Sequence, residues 1–135
     1  MADELLLEII TPEKMAFSGK VEEVTVPGSE GEFGVLRGHA SLLSSIQIGE
    51  LSYTQDNKKV AYAVDTGYAE VLASKVTILV EGADRYDMID RDQARKDKEE
   101  AEAKLAKMAK EDADYERVKS AVTKAETRLK VAERG

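Results

Sequence analysis

From Ala83 to Arg134 the chain contains neither glycine nor proline, whereas eight of its nine glycines and both prolines lie at or before Gly82. Glycine and proline are the strongest local breakers of regular structure, so their loss at one point divides the chain into two regimes. Charge changes at the same place. Residues 1–88 carry 7 basic and 15 acidic residues, a net −8, while residues 89–135 carry 13 basic and 12 acidic, a net +1; together these make the −7 of the whole chain. A head rich in turns and β-branched residues is expected over 1–86. A helical tail is expected over 87–135.

The head is patterned as strands. Val60, Tyr62 and Val64 alternate with Ala61, Ala63 and Asp65; Ala69 and Val71 alternate with Tyr68, Glu70 and Leu72; Val76, Ile78 and Val80 alternate with Thr77, Leu79 and Glu81. Val24 and Val26 share a face in the same way. This period of two is the signature of half-buried strands. The breaks suit turns: Thr11-Pro12-Glu13, Ser18-Gly19, Pro27 to Gly31, Gln55-Asp56-Asn57-Lys58 and Thr66-Gly67. No helix-length period lies between strands, so an antiparallel β-sandwich or barrel is expected rather than a parallel α/β sheet.

The tail is patterned as two helices. Asp90 suits an N-cap, with Gln93 in the capping-box position, and Ala94, Ala101, Leu105 and Met108 form a thin apolar stripe. After Lys110 to Asp114, where Asp112 or Asp114 suits a second cap, Tyr115, Val118, Val122, Ala125, Leu129 and Ala132 step by 3, 4, 3, 4 and 3. That is a heptad seam, and two such helices make an αα-hairpin. Alanines in a seam bury little area and helices of this length are marginal alone, so the hairpin is expected to be held weakly.

Composition excludes several functions. With 27 acidic residues against 20 basic, the chain lacks the clustered cations of a general nucleic-acid binder. The absence of cysteine removes thiolate metal sites and cysteine nucleophiles, and the single histidine, His39, removes a multi-histidine metal site. No apolar run is long enough to span a bilayer. The start, Met1 to Glu4, is acidic where a secretory signal would be basic, so an intracellular protein is expected. No nucleophile–base pair stands out, and no catalytic residue or metal ligand is assigned. The Gly28 to Gly34 stretch lacks the lysine of a phosphate-binding loop and carries Glu30 and Glu32, which repel phosphate.

Three stretches resemble the epsilon subunits of bacterial, proton-translocating ATP synthases. Val26-Pro27-Gly28-Ser29-Glu30-Gly31-Glu32-Phe33-Gly34-Val35-Leu36-Arg37-Gly38-His39-Ala40-Ser41-Leu42-Leu43 is similar to that family's glycine-rich block. Thr66-Gly67-Tyr68-Ala69-Glu70-Val71 is similar to its G-G-x-x-E-V, with threonine for the first glycine, and Val76 to Arg85 supports both. The resemblance implies a sandwich that joins the gamma subunit to the c-ring, and a hairpin that can reach the catalytic alpha/beta head and restrain ATP hydrolysis. It implies a non-catalytic subunit, peripheral at the cytoplasmic face of the bacterial membrane, without direct membrane insertion. It makes Gly31, Glu32, Arg37 and His39 candidates for contact with the c-ring. The alternative that it carries is a nucleotide-sensing tail. Some relatives hold ATP through I/L-D-x-x-R-A, and here Ile89, Asp90, Ala94, Lys124 and Arg128 are the corresponding candidates. Gln93 stands in the arginine position and offers no charge-assisted contact to phosphate, so no cofactor is expected.

Overall fold

The computed structural model describes residues 4–134; the start of the acidic leader (residues 1–3) and Gly135 lie outside the described residues. Among the described residues, ten strands form the head: β1 Leu5–Ile10, β2 Met15–Val21, β3 Glu23–Gly28, β4 Gly31–Val35, β5 Leu42–Ile46, β6 Gly49–Gln55, β7 Lys58–Val64, β8 Gly67–Val71, β9 Lys75–Val80 and β10 Ala83–Arg85. A short 3₁₀ turn, Tyr86–Met88, leads to the helices α1 Arg91–Ala106 and α2 Tyr115–Ala132.

The strands hydrogen-bond in the order β10-β7-β6-β3-β5-β8-β9-β1-β2, with β4 on the side of β3. The path folds over where β3 passes from β6 to β5, at the pairing of Gly28 with Ile46. The two halves thus face each other, and their inward residues form one core: Leu7, Ile9, Val71, Val76 and Ile78 from one half, Val24, Val26, Leu51, Tyr62 and Val64 from the other. Where β2 returns to β6, Glu22 N–H donates to the Thr54 carbonyl at 2.8 Å and Phe17 stacks on Tyr53 at 4.4 Å.

Two expectations about the head are corrected. The pairings are not all antiparallel, because β1 runs parallel to β9 from Leu6–Lys75 to Ile10–Leu79. Ser18-Gly19 is not a turn but lies within β2, Gly19 opposite Leu7. A Cβ on Gly19 would sit 3.0 Å from the Phe17 ring and 3.4 Å from Gln55 Nε2, so that glycine serves close approach. The Pro27 to Gly31 and Thr66-Gly67 breaks hold only in part: Ser29-Glu30 is the turn, Pro27, Gly28 and Gly31 belong to strands, and Gly67 opens β8. Asp56 and Asn57 have φ of 52° and 65°, the two-residue hairpin turn between β6 and β7.

In the tail, the Asp90 carboxylate accepts from Gln93 N–H at 3.0 Å and caps α1. The reciprocal half of the capping box does not form; the Gln93 amide donates to Asp97 Oδ1 at 2.8 Å instead. Asp114 stands at the start of α2 without a side-chain cap, and its own N–H is held by Asp112 Oδ1 at 2.9 Å. Ala94 and Ala101 of α1 and Val118 and Ala125 of α2 are buried along the hairpin. Arg91 Nη2 donates to the Ala132 carbonyl at 2.6 Å, tying the start of α1 to the end of α2.

Candidate functional site

Two surfaces of the sandwich carry features that its own folding does not require. The first is the outer face of the half containing β5, β8, β9, β1 and β2. Strand register places Ser45, Tyr68, Leu79, Ile10 and Met15 side by side in one row across those five strands. Tyr68 is 59% exposed, Leu79 49% and Met15 50%, and Ile10 is half-buried. Leu43, 71% exposed, stands in the adjoining row opposite Glu70. A groove of about 590 Å³ runs beside this row, lined among others by Ile10, Pro12, Thr66, Tyr68 and Leu79. Neighbours across strands are near enough to act as one contact surface. A contiguous apolar row facing water is the mark of a surface that meets another protein.

Sequence patterning understates this face. Tyr68 and Leu79 sit at the positions of their strands that alternation assigns to solvent. Met15 and Ile10 lie in β2 and β1, which the period-of-two reading does not single out, because Leu5-Leu6-Leu7 and Ile9-Ile10 are apolar on both faces. The signal was that double-sided apolarity: β1 buries Leu5, Leu7 and Ile9 in the core and turns Ile10 toward the exposed row.

The second surface is the glycine-rich block. Gly31 (φ +128°) and Glu32 begin β4 and are exposed, at the tip of a hairpin whose other strand is β3. They edge a groove of about 490 Å³ shared with Phe33, Leu42, Leu43 and Ser44. Arg37 and His39 follow the far end of β4. Gly38 (φ +89°) donates its N–H to the Ala73 carbonyl at 2.7 Å, and His39 Nδ1 lies 2.7 Å from the Ala40 carbonyl. At ~3.4 Å per residue, β4 separates the two pairs by about 14 Å along the strand. Gly31 with Glu32, and Arg37 with His39, are therefore two clusters at opposite ends of one strand, not neighbours.

The tail covers the opposite half of the sandwich. Val131 and Ala132 pack with Ala61, Ala63 and Ile89. Both faces of β7 are thereby buried: Tyr62 and Val64 inside, Ala61 and Ala63 beneath the tail. Val131 is fully buried although it stands outside the heptad seam. Around this contact, Lys124 Nζ meets Asp65 at 2.7 Å, Arg128 Nε meets Asp84 at 3.6 Å, and Arg134 meets Glu50 through two bonds of 2.7 and 2.9 Å. The hydrogen bonds and charge of Glu50 push the Arg134 pKa up.

The nucleotide candidates are distributed by this arrangement. Lys124 and Arg128 line a cavity of about 220 Å³ against Asp65 and Asp84, and a groove of about 380 Å³ against Asp97, Ala101 and Arg117. Asp90 and Gln93 line a different depression, with Asp92, Arg95, Lys96 and Glu99. Ile89 and Ala94 are buried. Among the described residues, no group of acidic or histidine side chains is arranged to hold a metal ion, and no helix is long and apolar enough to cross a membrane.

Residues 4–86 match the family model described as ATP synthase, Delta/Epsilon chain, beta-sandwich domain, and residues 87–133 match ATP synthase, Delta/Epsilon chain, long alpha-helix domain. The chain belongs to the ATP synthase delta/epsilon chain family. Among its relatives, the ATP synthase epsilon chain of Geobacter sulfurreducens is 44% identical over 132 residues, covering 98% of this chain and 96% of the relative. That of Nitratidesulfovibrio vulgaris is 45% identical over 131 residues, covering 97% of each. A chain in the Euglena gracilis mitochondrial ATP synthase OSCP/F1/c-ring structure superposes with a TM-score of 0.82 at 26% identity, covering 96% of this chain and 81% of that one. A chain of the Tetrahymena thermophila central stalk/c-ring structure shares the fold at a TM-score of 0.55 and 17% identity, covering 96% and 94%. The delta/epsilon family thus accounts for both the sandwich and the helical tail.

Proposed function

We propose that this chain is a non-catalytic rotor subunit of an ATP synthase. Its sandwich joins the gamma subunit to the c-ring, and its hairpin restrains ATP hydrolysis when it leaves the sandwich. In this reading it sits peripherally, at the cytoplasmic face of a bacterial membrane. The observation that carries the reading is the exposed apolar row of Met15, Ile10, Leu79 and Tyr68 on a face that the tail leaves uncovered. Family membership supports a rotor partner, and in this reading the gamma subunit meets this row. The polar tip at Gly31 and Glu32, with Arg37 and His39 beyond β4, is assigned to the c-ring.

The test is binding of purified gamma subunit to the full chain and to Leu79→Glu and Tyr68→Glu variants. Both positions are half-exposed or more, so neither substitution places a charge in the core. The reading expects gamma affinity to fall at least tenfold while the thermal unfolding of the sandwich stays unchanged, since a carboxylate buried in an apolar contact without a partner is costly. Wild-type affinity in both variants would remove the row from the interface.

A further inference from the structure

Register places Glu50, Ala63 and Asp84 in a single row across β6, β7 and β10, on the outer face. The tail presents Arg128 and Val131, three residues apart on one side of α2, and Arg134 in the turn just beyond its end. The two triplets match in order: Arg128 on Asp84, Val131 in the cluster with Ala63, Arg134 on Glu50. Lys124, one turn before Arg128, extends the match to Asp65, which follows β7. We propose that these acid–alanine–acid and base–valine–base rows form an ionic latch that holds the hairpin closed on the sandwich without any ligand and opens with salt.

The apolar part of the contact is small, being three alanines, one valine and one isoleucine with Tyr86 at the side. Charge therefore adds to the docking that these few apolar groups provide. The acids are placed to make it count: the Asp65 side chain is 20% exposed and that of Glu50 16%, so their pairs are partly shielded from water. Arg134 and Glu50 meet as a two-bond fork, the strongest geometry of the set. Arg128 is the weak member. Its Nε is buried without a hydrogen-bond partner and lies 3.6 Å from Asp84, so that pair is held by charge alone. The latch occupies Lys124 and Arg128 with carboxylates of the same chain.

An ionic latch and an apolar dock respond to salt with opposite signs. From about 0.1 M to about 1 M salt the screening length falls from about 10 Å to about 3 Å, weakening ion pairs, whereas apolar contacts hold or tighten. The chain has no cysteine, so spin labels go where they are placed. Labels at Lys58→Cys and Lys110→Cys, both on exposed positions outside the latch, report the distance from the hairpin loop to the sandwich. Three pairs at about twofold each predict a loss of about eightfold in the closed-to-open ratio across that salt range. The variant Glu50→Gln, Asp65→Asn, Asp84→Asn is expected to be open to the same degree at low salt and to lose its salt dependence. An unchanged closed fraction in the native chain from low to high salt overturns the proposal, whatever the variant does. So does a variant that keeps the native salt dependence.

Discussion

Replacing Val131 with alanine isolates the apolar part of the tail's docking. Val131 is fully buried, packed with Ala61, Ala63, Ile89 and Ala132. The substitution removes two carbons. At ~0.8 kcal/mol for each, with a further share for the cavity left against alanines that cannot move in to fill it, the closed form loses about 2 kcal/mol. That is about thirtyfold in the ratio of closed to open tails. The sandwich core, built from Leu7, Val24, Leu51, Ile78 and their neighbours, contains no tail residue. Its stability should not change. Two measurements on the full chain separate these effects: the label-to-label distance distribution for the tail, and calorimetric unfolding for the sandwich. The expected result is a population shifted toward long distances with the sandwich transition unmoved. A sandwich transition lowered by the full amount with the tail still closed would show that head and tail unfold as one cooperative unit, refuting the reasoning.

Three further outcomes follow from local structure. Gly67→Ala should destabilise the sandwich by about 2 kcal/mol or more, read as a lower thermal midpoint, because the new Cβ would overlap the Leu79 carbonyl and lie 2.7 Å from Val80 Cα, both backbone atoms that cannot swing away. Asp90→Ala should cost about 1 kcal/mol of α1 stability by removing the carboxylate that accepts from Gln93 N–H, seen as faster amide exchange in the first turn of α1 and nowhere in the sandwich. Burial, and next to it the neighbouring Tyr62, raises the Tyr53 pKa above its ordinary 10.0, and burial raises that of Tyr62. The unfolded chain then releases these protons first. Stability is full below pH 10 and falls as pH rises above it. Denaturant unfolding on either side of pH 10 should show that decline, and Tyr53→Phe should flatten it.

The tail's two helices and the first cap were open to reading because they depend on local chemistry: a stretch without breakers, Asp90 before it, and a seam with helical spacing. So were the strands that bury one face and wet the other, β8 and β9, and the Asp56-Asn57 turn. What escaped depends on pairing between distant segments. The parallel contact of β1 with β9 leaves no mark in either strand alone. Gly19 looks like a turn residue until Phe17 and Gln55 are brought beside it. Val131 looks like a position outside the seam until Ala61 and Ala63 arrive beneath it. The glycine-rich block was conspicuous, yet its charged residues separate to the two ends of β4. The apolar row emerges only when five strands are placed in register.

In the proposed role the sandwich attaches the chain to the rotor while the tail acts as a separable brake. The direct measurement is ATP hydrolysis by the purified catalytic head with the full chain and with a chain ending at Ile89, gamma binding being verified for both. Both forms are expected to bind, and the full chain alone to lower the rate. Equal rates with both forms bound would contradict the brake, and loss of binding in the shortened form would contradict the separability of tail and sandwich.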